Sequence, residues 1–431
     1  MSKKIIYDDG VNFEVDENGT LQRMWSDKNV RMIYIPNEFP DGTVISSIAP
    51  RFCYGNYGTV QISNKICTVQ ERAFKASNVK KVIWPTGCTT IPKNCFEDSE
   101  IAEVLNIDNV LNIEFRAFAY CKIQDITWPT KCTTIPRYCF EQCLGLKEIK
   151  NIDNVLQIEE GAFKHAGLFN FKWPRKCTEI PKRCFEHSYL ENITDIEDVT
   201  KIGAWAFAYT CIKSITVPKR VRAIPTETFY YCRNLEEVNL HDEISRIGES
   251  AFSISGIQTL KWPAKSKTIP KHCFFKCERL EKLSGISGVK TIGYGAFAKC
   301  IRLTEFKWPN GCKEVKDECF YNCLALNKVK LPDNVTNIGT AAFAFCGVRE
   351  IKWPSACSTI PNRCFSSSAL KSITNISHIT TIGESAFENS LLEELDLSDT
   401  HVVEIGDYAF GSTIREIKVS LPYYTERNDC E

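Results

Sequence analysis

The chain has 431 residues, of which 43% are hydrophobic and 25% are charged. Lysine plus arginine and aspartate plus glutamate number 53 each, so the formal net charge is zero. This balance argues against a general nucleic-acid or anionic-membrane binder, which carries a basic surplus. No run of 18 apolar residues occurs, and no apolar segment follows the N-terminal lysines. We therefore expect neither a membrane-spanning helix nor a standard secretory signal.

The first 50 residues are predicted to form a small β structure. Asp-Gly and Asn-Gly turns separate alternating apolar and polar residues in IIYDDGVNFEVDENGTLQRMW, which begins at Ile5. Turn dipeptides between alternating segments are typical of a β-hairpin or meander. We expect this structure to cap the repeats that follow, because the open end of a stacked array exposes a strand edge and apolar faces.

From residue 51 onward the chain is a tandem repeat. Many of its 25 phenylalanines follow one another at intervals of 22 or 23 residues. Self-similarity at a fixed short period indicates a solenoid, in which each unit buries its apolar face only against its neighbours. The regularly spaced residues are Phe52, Phe74, Phe96, Phe118, Phe140, Phe163, Phe185, Phe207, Phe229, Phe252, Phe274, Phe297, Phe320, Phe343, Phe365, Phe387 and Phe410.

Successive repeats alternate between two types. One type reads IPNRCF, as at 360–365, and the other reads IGESAF, as at 382–387. The residue before the phenylalanine alternates between Cys and Ala, with Thr228 as the one departure, and in most coils an Ile-Pro pair precedes the Cys type and an Ile-Gly pair the Ala type. The true unit is a pair of coils, 44 to 46 residues long, consistent with duplication of a two-coil block.

A strand is predicted between successive phenylalanines. Segments such as LKEIKNI (146–152), LTEFKWP (303–309) and VREIKWP (348–354) end in alternating apolar and polar residues. Alternation with period two indicates a half-buried strand, and a following proline ends it. The pattern predicts a β-rich solenoid of about 17 stacked coils with short strands and short helical turns.

The repeat resembles the BspA-like leucine-rich repeat family. Its unit, L-x-x-I-x-x-P-x-x-V-x-x-I-G-x-x-A-F-x-x-C, is matched almost position for position by LNKVKLPDNVTNIGTAAFAFC at 326–346. The resemblance extends over most of the chain and implies a leucine-rich-repeat-type solenoid. It also implies a recognition role, because such proteins in bacteria and protist parasites are associated with surface adhesion and host-protein binding.

The 22 cysteines allow three interpretations, namely disulfides, metal sites or small core residues. The position three residues after each phenylalanine accepts any small residue, and the cysteine of WPxxC aligns with valine in alternate coils, as Cys88 does with Val110. Cysteines of that column recur every second coil, about 10 Å apart and beyond the ~7 Å disulfide limit. No histidine cluster completes a zinc site. We therefore expect reduced core cysteines, which favours a reducing compartment.

Six tryptophans share one position of the repeat, directly after the strand. A row of indoles is either a stacking platform for sugars or a column of the core. Period two places each indole on the side of the buried strand residue, which favours the core. Small residues such as Asn106 take this position in alternate coils and are expected to give the indole room. The tryptophans are Trp84, Trp128, Trp173, Trp262, Trp308 and Trp353.

No sequence pattern indicates catalysis or cofactor binding. The six histidines keep no fixed offset to a serine, a cysteine or an acid. No phosphate-loop, nucleophile-elbow, zinc-protease or dinucleotide-binding pattern occurs. We expect no enzyme activity, no cofactor and no metal site.

The outward-facing position at the end of each strand is the most informative surface column. Lysine recurs there, and three lysines stand in consecutive coils, about 5 Å apart. One interpretation is a solubilising row that protects the sheet edge. The other is a stripe that binds an acidic protein or a sulfated glycan. This lysine stripe consists of Lys150, Lys172, Lys261, Lys307, Lys330 and Lys352.

Three segments are predicted: a β cap at 1–50, the solenoid at 51–420 and a polar tail at 421–431, where Cys430 is available for an intermolecular link.

We expect a monomer that binds protein or glycan, and neither nucleic acid nor membrane. The leading function is a non-catalytic recognition scaffold in adhesion to host or matrix. The alternatives are an intracellular interaction module or effector, and a structural or virion-attachment component. Without a recognisable signal, we expect a cytoplasmic protein or one exported by a non-standard route.

Overall fold

The chain folds as a β-solenoid of about 17 turns with almost no helix, which confirms the predicted fold class. The computed structural model describes residues 2–7, 10–412 and 414–419. The predicted tail at 421–431, with Cys430, lies outside the described residues. The chain forms two compact units, Met1–Ile212 (unit 1) and Lys213–Glu431 (unit 2). The predicted helical turns are a minor feature, since one complete 3₁₀ helix, Ile286–Gly288, occurs in the described residues.

Unit 1 begins with an antiparallel meander whose third strand pairs in parallel with the first short strand of the repeat. The sheet of the predicted cap therefore continues into the coils that follow. The strands of unit 1 are β1 (Lys3–Tyr7), β2 (Val11–Val15), β3 (Thr20–Trp25), β4 (Val30–Ile35), β5 (Ser47–Ile48), β6 (Cys53–Tyr54), β7 (Tyr57–Ile62), β8 (Thr68–Val69), β9 (Lys81–Ile83), β10 (Thr90–Ile91), β11 (Glu103–Leu105), β12 (Asn112–Ile113), β13 (Asp125–Thr127), β14 (Thr134–Ile135), β15 (Glu148–Lys150), β16 (Gln157–Ile158), β17 (Asn170–Lys172), β18 (Glu179–Ile180), β19 (Asn192–Thr194) and β20 (Lys201–Ile202).

Unit 2 repeats the same two strands in each coil, one of three or four residues and one of two residues. The strands of unit 2 are β21 (Ser214–Thr216), β22 (Ala223–Ile224), β23 (Glu237–Asn239), β24 (Arg246–Ile247), β25 (Thr259–Lys261), β26 (Thr268–Ile269), β27 (Lys282–Ser284), β28 (Thr291–Ile292), β29 (Glu305–Lys307), β30 (Glu314–Val315), β31 (Lys328–Lys330), β32 (Asn337–Ile338), β33 (Glu350–Lys352), β34 (Thr359–Ile360), β35 (Ser372–Thr374), β36 (Thr381–Ile382), β37 (Glu394–Leu397), β38 (Glu404–Ile405) and β39 (Glu416–Val419).

The longer strands follow the period-two pattern that the sequence predicts. In β29, Phe306 is buried between exposed Glu305 and Lys307, and most of the other three-residue strands repeat this arrangement. From β13 onward the longer strands pair two by two, in parallel and in register, so Phe306 of β29 lies beside Val329 of β31 in the next coil. One face of this strand column therefore lines the core and the other presents polar side chains to solvent.

A third ladder of hydrogen bonds runs through the phenylalanine segments. The residues two before and two after the phenylalanine adopt left-handed backbone conformations, as Asn94 (φ 56°) and Asp98 (φ 59°) do around Phe96. Alternation with right-handed residues turns successive amides toward the next coil. The N–H of Phe96 thus donates to the carbonyl of Ala117 at 2.9 Å. Every repeat phenylalanine from Phe74 through Phe185 in unit 1, and from Phe229 through Phe387 in unit 2, makes the same hydrogen bond to the next coil.

The phenylalanine side chains form a stack along the core of each unit. Ring centroids of neighbouring coils lie 5.0–6.0 Å apart in unit 1. They lie 5.6–5.7 Å apart in unit 2. Offset stacking of this kind adds to the stabilisation that each ring gains from burial.

Replacing Phe320 with alanine is expected to lower the free energy of unfolding by about 3–5 kcal/mol. Its ring is fully buried and lies 5.6 Å from the rings of Phe297 and Phe343. Phe410 in the last coil is only half-buried, so Phe410→Ala is expected to cost less than half as much. Urea denaturation followed by circular dichroism measures both values, and equal costs at the two positions would contradict a core carried by the stack.

All six repeat tryptophans belong to the core, which confirms the core interpretation over the sugar platform. Each is at most 1% exposed, and its indole N–H donates to the carbonyl four residues later, as Trp308 does to Cys312 at 2.9 Å. The alternating small residue serves a different purpose from the one predicted. Asn106 has a left-handed backbone (φ 64°), and its side-chain amide donates to the carbonyl of Trp84 at 2.8 Å. The left-handed backbone conformation, rather than room for the indole, explains which residue types occupy this position.

The cysteines are core residues, as predicted. None of the 21 cysteines in the described part of the chain forms a disulfide; Cys67 is exposed, Cys211 is partly exposed and the others are buried. The cysteines that lie three residues after a phenylalanine also donate a hydrogen bond. The thiol of Cys121, for example, donates to the carbonyl of Phe96 in the preceding coil at 2.8 Å. The serine hydroxyl of Ser99 at this position instead donates to the phenylalanine carbonyl of its own coil, that of Phe96, at 2.6 Å. The position accepts small residues whether or not they donate a hydrogen bond, since Ala166 also occupies it and the buried hydroxyls of Ser77 and Ser188 have no hydrogen-bond partner among the described residues.

Candidate functional site

The solvent face of the longer strands is the surface that the repeat builds most regularly. The first and third residues of these strands are mostly exposed and stand in columns along each unit. The lysine stripe lies on this face at the third position. Because neighbouring strands are about 4.8 Å apart, side chains of adjacent coils act together on a ligand that spans them.

Four members of the lysine stripe are paired with carboxylates. The Lys352 ammonium lies 3.0 Å from Asp333 and that of Lys261 lies 3.2 Å from Asp242. Longer pairs join Lys172 to Asp153 and Asp195, each at 3.8 Å, and Lys150 to Glu148 at 3.7 Å. The hydrogen bond from Lys352 lowers the pKa of Asp333.

Three of the four partner aspartates share one structural position. Asp153, Asp242 and Asp333 each lie two residues before the apolar column residue of the coil that precedes their lysine. The equivalent residues before Lys307 and Lys330 are Ser287 and Asn310. Neither of these side chains carries a negative charge. The two lysines therefore lack the carboxylate that accompanies their counterparts in other coils.

Lys307 and Lys330 stand beside two further lysines. They are direct neighbours in the register of β29 with β31, and Lys328 occupies the first position of β31. Lys282 occupies the first position of β27, one coil earlier. Within residues 2–7, 10–412 and 414–419, none of the four makes an ion pair shorter than 4.0 Å. We call this group the basic patch. It consists of Lys282, Lys307, Lys328 and Lys330, with the carboxylate of Glu305 among them.

The basic patch surrounds a shallow depression of about 570 Å³. Its floor includes Phe306 and Trp308, and its wall includes Gly285, whose left-handed backbone (φ 77°) precedes the 3₁₀ helix. A similar depression of about 630 Å³ near the end of unit 2 is lined by four carboxylates and two lysines. The strand face of unit 2 thus changes from basic to acidic along its length, and the depression at Phe306 is suited to an anion.

The lysine stripe predicted from the sequence contains two of the four lysines in the basic patch. It followed only the third strand position, whereas Lys282 and Lys328 stand at the first. Both positions point outward in a strand with period two, so the sequence contains the signal for all four. It did not predict which lysines are paired, because the partner aspartates lie in loops of the preceding coil.

The structure offers no arrangement for metal-dependent chemistry in its described residues. In the described ranges, no three His, Cys, Asp or Glu side chains are grouped to hold a metal ion. His165 and His187 stack at 4.5 Å, and burial lowers the pKa of each imidazole. No helix among the same residues has the length and apolar character needed to cross a membrane.

Comparison with one solved structure shows the same fold. A leucine-rich repeat protein from Bacteroides ovatus superposes with a TM-score of 0.70 at 23% identity, over 83% of this chain and 96% of that one. A leucine rich cell surface protein from Faecalibacterium prausnitzii gives 0.46 at 21% identity, over 80% and 92%. The pneumococcal vaccine antigen PcpA gives 0.41 at 18% identity, over 97% and 98%. No significant match was found among curated proteins.

The sequence profile of a known repeat family covers most of the chain. The BspA type leucine-rich repeat region, which spans six copies, matches residues 27–146, 111–236, 200–323 and 290–418. These matches overlap and together include nearly every coil. The fold is a scaffold of a kind that is generally non-catalytic. The chain therefore belongs to the BspA-type leucine-rich repeat family, a class of repeat scaffolds associated with protein binding.

Proposed function

We propose that the protein is a non-catalytic recognition scaffold whose basic patch binds an acidic segment of a partner protein. The observation that carries this proposal is the grouping of four unpaired lysines around one carboxylate, Glu305. Unpaired like charges repel one another, and an anionic ligand relieves that repulsion while gaining several charge-assisted hydrogen bonds.

The shape of the surface supports a chain-like ligand. The depression is open and runs across three coils, so it accommodates an extended peptide better than a compact small molecule. The lysines around the depression set the charge preference. A sulfated glycan carries similar charges, and the experiment below separates it from an acidic peptide.

Adhesion to a host or matrix protein is the cellular role that we propose for this binding, in keeping with the resemblance to BspA-like proteins. The second candidate is an intracellular interaction module. Its support is the set of cysteines in the described chain that form no disulfide, because thiols persist most readily in a reducing compartment. Localisation of the tagged protein in the producing cells distinguishes the two roles.

Charge changes on the basic patch are expected to control binding. The probes are a fluorescent polyglutamate peptide and a sulfated heparin oligosaccharide, each measured by anisotropy at low and high salt. Lys307→Glu with Lys330→Glu is expected to weaken peptide binding by about tenfold or more, because two attractions become repulsions. The matched control is Lys150→Glu with Lys172→Glu, which alters the same strand position in unit 1 and is expected to leave the affinity nearly unchanged.

A second pair of variants tests the role of the missing aspartates. Asn310→Asp supplies Lys330 with the carboxylate found in other coils and is expected to weaken binding about two- to fivefold. Asp333→Asn frees Lys352 beside the patch and is expected to strengthen it by a similar factor. Both substitutions conserve side-chain shape. Binding of neither probe, or identical affinities for all variants, would contradict the proposal, and preference for the oligosaccharide would assign the patch to glycans.

A further inference from the structure

The last coil of unit 2 leaves core positions uncovered. Ile405 is 46% exposed and Val419 is 42% exposed. Ile382 and Leu397 occupy the same positions one coil earlier and are 0% and 4% exposed. Terminal repeats of soluble arrays usually carry polar residues on their outer face. Apolar residues at these positions therefore indicate a surface that is covered in solution.

The same end presents unpaired strand edges. Strand β39 pairs with β37 on one side, and β38 ends the sheet that β34 and β36 begin. Among the described residues, no strand lies on the outer side of β39 or β38. Free backbone donors and acceptors beside apolar side chains form a template for an added strand.

We propose that a second copy of this chain covers the end of unit 2, through antiparallel pairing of the two β39 strands about a two-fold axis at Ile417. In this register Ile417 lies opposite Ile417 of the partner subunit. Glu416 lies opposite Lys418 of the partner subunit, and the symmetry repeats this pair in the other direction. The strand is thus complementary to itself in both apolar and charged positions.

Charge selects this register over its neighbours. Centring the axis on Glu416 or on Lys418 would place like charges directly opposite each other, which destabilises a strand pair. The two side chains are accessible, since Glu416 is 56% and Lys418 is 57% exposed. Their contact with each other along the strand is long, at 4.0 Å between Nζ and Oε1. Both groups are therefore available to a second copy.

The oligomeric state of the full chain tests the proposal. Light scattering after size exclusion measures the mass from low to high micromolar concentration, in reducing buffer and with Cys430→Ser to prevent a disulfide link. The sequence led us to expect a monomer, whereas the uncovered end predicts a dimer of twice 49.0 kDa at high concentration. Amide exchange of residues 416–419 is expected to slow as the dimer forms.

Charge reversal and its rescue identify the strand register. Lys418→Glu places two glutamates opposite each other at both pairs and is expected to weaken dimerisation about tenfold or more. Adding Glu416→Lys restores opposite charges and is expected to restore the dimer. The residues are exposed, so unchanged circular dichroism serves as the folding control.

Four results would overturn the proposal. These are a monomer at every concentration, a dimer unaffected by the charge changes, a double variant that fails to recover, and an open series of larger assemblies, which would indicate head-to-tail stacking. A monomer whose β39 amides are already protected at low concentration would instead assign the cover to residues 420–431.

Discussion

Raising the pH from 8 to about 10.5 is expected to unfold the protein, because its buried thiols can lose their protons only after the chain opens. Burial raises the pKa of Cys277 to about 11 and that of Cys121 and Cys346 to about 12. Burial also raises the pKa of other thiols well above the ordinary value. These are Cys95, Cys139, Cys143, Cys184, Cys273, Cys300, Cys319, Cys323 and Cys364.

The direction of this effect follows from proton linkage. A thiol of the unfolded chain ionises near pH 9, whereas Cys277 of the folded chain stays neutral to about pH 11. Stabilisation by each thiol is complete below pH 9 and is lost as the pH rises toward the folded pKa, by about 1.4 kcal/mol per pH unit. The summed loss from several such thiols in each unit exceeds the free energy of unfolding of an ordinary domain, which is about 5–15 kcal/mol.

A variant with fewer titrating thiols provides the control. Serine already occupies the position three residues after the phenylalanine in other coils, as at Ser255 and Ser368. Replacing Cys277, Cys300, Cys323 and Cys346 with serine is expected to raise the alkaline midpoint of unit 2 by about 0.5 pH unit. Circular dichroism at increasing pH in reducing buffer measures the midpoint. A native signal that persists unchanged to pH 11 would contradict the expected loss.

The repeat itself could be predicted from the sequence because each core column returns at a fixed interval. Phenylalanine every 22 or 23 residues identified the stack, and period two identified the buried face of the strands. These are burial patterns, and burial depends on residue type. The tryptophan column followed for the same reason, since its position relative to the strand fixes the direction of the side chain.

Features that depend on backbone conformation or on neighbouring coils could not be predicted in the same way. The left-handed residues around each phenylalanine include many types, such as Arg116, Tyr138 and His165, so composition gives no signal. Apart from Lys150 and Glu148, which share β15, the ion pairs of the lysine stripe join residues of different coils. An aspartate such as Asp333 is recognised as a partner only when the coils are superposed. The sequence suggested six similar lysines, and the structure distinguishes four paired ones from two that are unpaired.

The alternation of Ile-Pro and Ile-Gly coils has its physical cause in close packing between backbones. A Cβ atom on Gly203 would lie 2.3 Å from the amide nitrogen of Lys182, which follows Pro181 in the preceding coil. Gly248 has the same relation to Thr226 at 2.3 Å, and Gly293 to Lys271 at 2.4 Å. None of these glycines needs a left-handed backbone. Glycine at these three positions leaves space for the main chain of the Ile-Pro coil. In unit 1, Glu114 and Glu159 take the same position and accept a hydrogen bond from the backbone amides of Lys93 and Arg137, at 2.9 Å each.

Replacing Gly293 with alanine is therefore expected to destabilise unit 2 by about 3 kcal/mol or more, at the upper end of overpacking effects. The new methyl group would lie 2.4 Å from the nitrogen and 2.8 Å from the Cα of Lys271, and both atoms belong to the backbone. A backbone cannot move aside as a side-chain end can. The coils must separate, which lengthens the hydrogen bonds of the β26–β28 ladder. Urea denaturation measures the change in the free energy of unfolding.

Gly288 provides the matched control in the same coil. A Cβ atom there would meet only the Nζ atom of Lys267, at 3.1 Å, and that flexible side chain can move away. Gly288→Ala is expected to change the free energy of unfolding by less than about 1 kcal/mol. The comparison separates a steric requirement at one glycine from the general cost of altering the repeat. Similar losses for the two variants would mean that close approach of the Ile-Pro backbone does not explain the alternation.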